Sequence, residues 1–390
     1  MVQIKSRAIP SSLRRVNERT LVSLLMRLGH ASRAQLAKTA GISQPTCGKI
    51  IDELITLGLA HEVEDSSAAR DCAGRPGRMV QLDAQRPRFL AIQFDVNETS
   101  FALVPVGAKV EDCWNLKVPT TDSAQGWLKQ ARAAAGKLKC QDLCGVLVSV
   151  PGIVDERAGK ILFSPNLHWS ETADLPALIA QVWNAPVLLI QENRAAALGQ
   201  LFADPSRPDF LLVDFGQGVG GAIVESGRLF QSPLPMNSEL GHTPIPGNRR
   251  QCGCGAVGCL ETKLALPGLL RCFAEANRGQ PETWEALEAH VRKQGVRPWL
   301  TECLDATAGV IAGSLNVLGL RYVVITGSLA QLPSIVVDHL SAAVQGGALW
   351  GRFGEVTCVG APRRRIAGLA AAGIDRLLLP LEGERQMAGD

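Results

Sequence analysis

Glu239-Leu240-Gly241-His242-Thr243, followed by Cys252-Gly253-Cys254-Gly255-Ala256-Val257-Gly258-Cys259-Leu260-Glu261, is the stretch on which the reading of this chain turns. Nine residues separate His242 from Cys252, one separates Cys252 from Cys254, and four separate Cys254 from Cys259. One imidazole and three thiolates fill a tetrahedral shell and leave no open position, so His242, Cys252, Cys254 and Cys259 are expected to hold a structural zinc ion, Zn2+. The glycines between them let the backbone bend tightly enough for closely spaced sulfurs to converge. A disulfide is the alternative reading, but it leaves an odd thiol and needs an oxidising compartment. Cys47, Cys72, Cys113, Cys140, Cys144, Cys272, Cys303 and Cys358 are scattered and read as packing thiols.

On both sides of that stretch the pattern alternates. Apolar runs at 90–94, 100–104, 144–150, 187–190, 210–213, 222–225 and 323–326 read as strands, and 124–138, 173–183, 194–202 and 305–318 as helices. Such alternation predicts α/β architecture. The apolar, helical stretches 334–344 and 367–379 can supply either dimer surface or core. With 390 residues the chain exceeds one hydrophobic core, so two or more domains are expected. The N-terminus lacks a signal-type apolar segment, and no stretch offers the roughly eighteen uninterrupted apolar residues of a membrane span, so the expectation is a cytoplasmic protein with no membrane partner.

Net charge is +3, yet residues 1–50 hold nine Lys or Arg against one acid, Glu18. That segment is therefore +8, and +3 less +8 leaves −5 for the rest. A basic head on a mildly acidic body is the footprint of a nucleic-acid-binding domain on a separate carrier. Val16, Leu21, Leu24, Leu25 and Leu28 recur at helical spacing up to Gly29. Ser32 caps a short second helix, Gly41-Ile42 turns, and Ser43 caps a third helix with the stripe Ile50, Ile51, Leu54, Ile55 and Leu57. This is the helix-turn-helix order, in which the first turn of the last helix enters the major groove. Strands at 59–64 and 79–82 would form a wing, carrying the cationic loop Cys72–Arg78. Arg33, Ser43, Gln44, Pro45, Thr46, Lys49, Arg75 and Arg78 are the candidate DNA contacts. A structural three-helix module and a flexible basic linker are the plainer readings of the same residues.

The metal stretch, with Val150-Pro151-Gly152-Ile153-Val154-Asp155 and Pro165-Asn166-Leu167-His168-Trp169, resembles the ROK family (repressors, open reading frames and sugar kinases), and within it the NagC/Mlc-type regulators. The resemblance covers nearly the whole chain. It implies a winged helix-turn-helix over 1–83 and a two-lobed actin-like, ribonuclease H-like domain over 86–390. The smaller lobe would span about 86–190 plus the C-terminal helix, the larger about 191–372. It also places Asn166, Asn193, Glu239, His242 and Glu261 at sugar-contacting positions, with the His242 nitrogen not given to zinc left for a sugar hydroxyl; Arg194, where the reacting hydroxyl would sit, is either a binding-site cation suited to an anionic sugar derivative or an internal partner of Glu192 or Glu239.

Kinase chemistry needs a base for the sugar hydroxyl and a glycine-rich cradle for nucleotide phosphates. In the family's kinases the base is an Asp directly after an Asn; here Arg194 follows Asn193, and a guanidinium accepts no proton. The first phosphate loop reads Asp95-Val96-Asn97-Glu98-Thr99-Ser100 where the kinases carry paired glycines. The second, Asp214 to Gly221, keeps its glycines but has Gln217 where they place Thr. The expectation is a DNA-binding regulator, not an enzyme, acting as a homodimer or homotetramer on a double-stranded operator under control of a sugar or sugar phosphate. An active kinase with a DNA-binding head, and a repressor controlled by a partner protein, are the alternatives.

Overall fold

The computed structural model describes residues 10–64, 78–107, 114–140, 142–164 and 167–379. The chain divides into two compact units, Met1–Gln191 with Arg365–Asp390, and Glu192–Arg364.

The first unit opens with α1 (Pro10–Leu28), β1 (His30–Ser32), α2 (Arg33–Ala40) and α3 (Gln44–Thr56), then β2 (Ala60–Glu64) and β3 (Arg78–Leu82). Ser32 caps α2 by accepting from the Gln35 backbone N–H, and Ser43 caps α3 by accepting from Thr46. Between the two helices Gly41 adopts φ 66°, a left-handed conformation that glycine enters without a Cβ penalty. Leu21, Leu25, Leu36, Ile50, Ile51, Leu54, Val80 and Leu82 form the head's buried core. Each contributes about 1.5–3 kcal/mol through burial.

Two details of the helical stripes differ from expectation. Val16, Leu28 and Leu57 are exposed at 44%, 43% and 61%: Val16 lies on the outward side of α1, Leu28 is its last residue, and Leu57 is the cap residue after α3. A short strand, β1, also escaped the sequence reading. Its three residues are held by pairing antiparallel to β3, which β2 flanks on the other side.

The body of this unit continues with β4 (Pro87–Phe94), β5 (Glu98–Pro105), β6 (Leu116–Pro119), α4 (Ala124–Leu138), β7 (Gly145–Val150), β8 (Ile153–Asp155), β9 (Lys160–Phe163), α5 (Trp169–Thr172), α6 (Leu175–Ala180) and β10 (Val187–Gln191). Its sheet order is β10-β7-β4-β5-β6, parallel through β10, β7 and β4 and antiparallel beyond. The helix expected at 173–183 is corrected. Ala173 is extended, and Asp174 caps Ala177 N–H with Pro176 in the first turn, so the helix there is only Leu175–Ala180 and the separate short α5 precedes the expected range.

The second unit comprises α7 (Glu192–Ala203), β11 (Phe210–Phe215), β12 (Val219–Glu225), β13 (Arg228–Leu229), a 3-10 turn at Leu240–His242, α8 (Glu261–Leu264), α9 (Leu266–Ala276), α10 (Trp284–Gln294), α11 (Pro298–Leu318), β14 (Tyr322–Gly327), α12 (Ser328–Gln331), α13 (Ile335–Gly347) and β15 (Thr357–Gly360). Its sheet order, β13-β12-β11-β14-β15, repeats the plan of the first: three parallel strands continued by an antiparallel pair. The chain then re-enters the first unit as α14 (Arg365–Gly373), followed by a π-helical turn, Ile374–Leu378. Most of α14 is buried, as are the Val336, Val337, Leu340 and Val344 stripe of α13, so both helices serve the core.

Candidate functional site

His242 ends the 3-10 turn, and the three cysteines follow on a loop folded back by paired bridges, Pro244 to Cys259 and Gln251 to Val257. Gly255 and Gly258 stand at φ 92° and 90°. A Cβ on Gly258 would meet the Asn248 carbonyl oxygen at 2.8 Å, so only glycine lets the loop close there. The Asn248 amide donates to Cys259 O at 2.9 Å and lies 2.8 Å from Thr262 Oγ1, pinning the last cysteine to α8.

The donor atoms of His242, Cys252, Cys254 and Cys259 all lie within 4.8 Å of one another, so the group can hold a metal ion. Cys252 Sγ is 3.6 Å from His242 Nδ1, and Cys254 Sγ is 3.7 Å from Cys259 Sγ. A tetrahedron with metal–sulfur bonds of about 2.3 Å and metal–nitrogen bonds of about 2.0 Å has edges near 3.8 and 3.5 Å. Those two separations are close to the edges of such a shell, and all the other pairs lie within 4.8 Å. Burial and the Glu261 carboxylate push the Cys252 thiol up, burial raises that of Cys259, and a hydrogen bond from the Ala256 backbone lowers that of Cys254.

Nδ1 is the His242 nitrogen turned to the sulfurs. Glu261 Oε1 sits 3.5 Å from it and 2.8 Å from Cys252 Sγ. Its other oxygen would stand 3.2 Å from a Cβ on Gly218. Glu239, just before the 3-10 turn, is half-buried; desolvation raises its carboxyl, repulsion from Glu261 adds to this, and His242 opposes it. Asn193 is buried in the first turn of α7, against the β11–β12 hairpin: a Cβ on Gly220 would overlap its Nδ2. Asn193, Glu239, His242 and Glu261 are thus all set around, or directly against, the segment Gly216–Gly221 and the 3-10 turn. Arg194 donates to Phe230 O at 3.1 Å. Asn166 lies outside the described residues.

Beside the turn of that hairpin is a feature the sequence did not announce. Asp214, 4% exposed, accepts from Thr326 Oγ1 at 2.6 Å and from Arg363 Nε at 2.7 Å, with Arg363 Nη2 at 3.1 Å from the second oxygen. The degenerate first loop is a tight turn: Asp95 N–H donates to Glu98 O at 2.9 Å, and the Glu98 carboxylate pairs with Lys117 at 2.8 Å.

In the head, Gln44, Pro45 and Lys49 are exposed along the start of α3, and Ser43 and Thr46 are joined at 2.8 Å through their hydroxyls. Arg33 and Arg78 are engaged within the head. Arg33 pairs with Asp52 at 2.8 Å and Glu62 at 3.0 Å, and Arg78 with the other oxygen of Glu62 at 2.7 Å. Arg75 lies outside the described residues.

The chain belongs to the ROK family, whose profile matches residues 89–360. It is 25% identical over 359 residues to a protein named putative xylose repressor from Caldicellulosiruptor sp. (strain Rt8B.4), covering 85% of this chain and 88% of that protein. A solved ROK family transcriptional regulator, described as a homologue of the Escherichia coli Mlc protein, superposes with a TM-score of 0.75 at 21% identity, over 93% of this chain and 96% of its own. A ROK family glucokinase from Streptomyces griseus, solved with glucose and AMPPNP, superposes with a TM-score of 0.61 at 19% identity, over 73% of this chain and 97% of its own. The fold is therefore the actin-like one of the ROK proteins, and regulators and kinases share it. Among the described residues, no helix is long and apolar enough to cross a membrane.

Proposed function

We propose that this protein is a sugar-controlled transcriptional repressor without kinase activity. The observation that carries the reading is the join of a basic three-helix head, with α3 presenting Gln44, Pro45, Thr46 and Lys49, to a ROK body in which Arg194 takes the place of the catalytic acid. The head is a winged helix-turn-helix over 1–83, with α3 as the recognition helix. Arg33, Ser43, Arg75 and Arg78 support it at the phosphates and, through the wing, in the minor groove. Repression is also the activity named for the xylose relative.

The body spans 86–390, with its lobes dividing about 190 and a C-terminal helix returning to the smaller one. His242, Cys252, Cys254 and Cys259 hold a structural Zn2+ that fixes the 3-10 turn. Asn193, Arg194, Glu239, His242 Nε2, Glu261 and Asn166 receive the sugar hydroxyls; a carboxylate and an amide accept and donate in the manner a polyol requires. Asp214 is committed to Arg363 and Thr326, so the acid beside the glycine turn is already neutralised by a cation. With no base at 194 and no open first loop, the residues for phosphoryl transfer are not assembled. The protein acts as a homodimer or homotetramer, which matches the two-fold symmetry of an operator. The cytoplasm is its site of action.

The test is footprinting of purified full-length protein on genomic fragments at low salt, with and without a panel of sugars and their phosphates, beside a coupled assay for ATP turnover. Protected operators whose occupancy changes with one sugar, and ATP turnover at background, are expected. Protein that ignores duplex DNA, or turns over ATP with a sugar, overturns the reading.

A further inference from the structure

The first turn of α3 carries Gln44, Pro45 and Thr46, and the next carries Gly48 and Lys49. Ser43 and Thr46 use their hydroxyls locally: Ser43 Oγ accepts from the Thr46 backbone N–H at 3.3 Å and lies 2.8 Å from Thr46 Oγ1. The acids further along the helix are neutralised, Asp52 by Arg33 at 2.8 Å and Glu53 by Arg14. Among the described residues, the exposed Gln44 amide and Lys49 ammonium have no hydrogen-bond or ion-pair partner. The start of α3 therefore offers one neutral amide and one cation to whatever it meets, with no unpaired acid to repel a polyanion.

Gly48 stands one turn after Gln44, on the same side of the helix. Glycine inside a helix is less stable than alanine, and neither conformation nor packing calls for it here. Its backbone is outside the left-handed region that Gly41 occupies at φ 66°. A Cβ at this position would meet only Arg33 Nη1, at 3.9 Å, an ordinary contact. The glycine thus keeps clear a strip of helix surface that the head itself does not fill.

Resting on the DNA-binding reading of the head, we propose that Gln44 reads one adenine in each operator half-site and that Gly48 supplies the clearance for it to do so. A primary amide holds one donor and one acceptor side by side, which matches the N6 donor and N7 acceptor of adenine in the major groove. Guanine shows two acceptors there and calls for Arg or Lys, and the first turn of α3 holds neither. A helix about 10–12 Å across barely fits a groove about 12 Å wide, so a side chain on its flank sets how far the first turn descends. At Gly48 no side chain stands in the way. Lys49, one residue on, pairs with a phosphate and fixes register without selecting a base.

The test is selection of duplexes from a randomised library by the full-length protein, followed by titration of the selected duplex. Wild type should enrich a two-fold site with a fixed adenine in each half. Gln44→Ala, which removes an exposed side chain, should melt like wild type and lose about tenfold of the preference for that adenine while the other preferences stay. Gln44→Arg should move the preference at that position to guanine. Lys49→Ala should weaken binding to every sequence alike and reduce the salt slope by about one. Gly48→Ala should melt a few degrees higher and yet bind the selected duplex about tenfold more weakly. Gln44→Ala that binds with every base preference intact, or Gly48→Ala that melts higher and binds as wild type does, overturns the proposal and leaves the DNA-binding reading standing. Wild type that enriches no duplex and ignores DNA at low salt overturns both. The Gln44 variants keep the proposal falsifiable if Gly48→Ala fails to fold.

Discussion

Replacing Gly220 by alanine tests whether the glycine hairpin and Asn193 form one site. Gly220 lies on β12 opposite Asp214, and its backbone is not among the positive-φ glycines, so the substitution adds a methyl group without backbone strain. The new Cβ would overlap Asn193 Nδ2 and stand 3.4 Å from its Cγ. Ordinary contact is about 3.5–4.0 Å, so either the amide withdraws by about an ångström or the strand shifts. Asn193 is 5% exposed in the first turn of α7 and has little room to withdraw. Overpacking of this kind costs about 1–3 kcal/mol, which lowers Tm by about 2–4 °C per kcal/mol in a domain of this size. If Asn193 receives a sugar hydroxyl, calorimetry on the sugar that wild type binds should show affinity falling about tenfold or more. Gly313→Ala in α11 is the control, because its Cβ meets nothing within 4 Å. That change should be neutral or stabilise by about 0.4–1 kcal/mol. Unchanged melting and unchanged sugar affinity in Gly220→Ala would refute the reasoning, as would an equal loss in Gly313→Ala.

Zinc content measured after gel filtration should be one ion per chain, and Cys259→Ala, at a fully buried ligand position, should lose it and melt lower; a variant that melts like wild type removes the structural role of the site. Arg78 and then Arg33 lower the Glu62 carboxyl. A depressed carboxylate contributes stability that is present above its unfolded pKa, about 4.3, and is lost as pH falls through the lower native value. Amide-exchange protection in β2 and β3 should therefore drop on acidification below about pH 4 in wild type, and Glu62→Gln should flatten that dependence.

The caps of the head were legible because they are local: Ser32, Gly41 and Ser43 each act within about one helical turn. The gathering of His242, Cys252, Cys254 and Cys259 was legible for the same reason, since the four donors lie within one short stretch of chain. The start of α6 is written in Asp174-Leu175-Pro176, a cap followed by a first-turn proline, whereas its end at Ala180 is not, because the apolar period runs on to Trp183. The Asp214–Arg363 pair was not legible. Its partners stand 149 residues apart, and only the parallel pairing of β11 with β14 brings the intervening Thr326 alongside. Gly220 likewise looked like a phosphate-loop glycine, whereas the approach of Asn193 from another element supplies an immediate steric reason for it. A sequence reading recovers chemistry set by neighbours in the chain and misses chemistry set by chain return.

Contacts inside the first unit give the proposed coupling of sugar to DNA a path that can be tested. Arg19 of α1 donates from Nε to Leu379 O at 2.8 Å and from Nη2 to Asp375 O, so α1 is bonded to the π-helical turn. Arg376 in that turn pairs with Glu156 at 2.9 Å, and Glu156 accepts from Gln191 N–H at 3.2 Å, the residue after which the chain leaves for the second unit. Arg88 separately donates to Leu57 O at 3.0 Å and Gly58 O at 3.4 Å, at the end of α3. One anchor fixes the end of α3 to β4, and the other ties α1 to the point of chain exit. Arg19→Ala removes hydrogen bonds worth about 1.5–3 kcal/mol each from a charged donor, while leaving the exposed face of α3 intact. DNA affinity without sugar should therefore change little, and the factor by which sugar alters it should shrink toward one. Linkage requires the same shrinkage in the effect of DNA on sugar affinity. Titrations of operator with and without sugar, and of sugar with and without operator, at one salt concentration, measure both ratios. A variant that keeps the full wild-type ratio shows that the coupling does not run through α1.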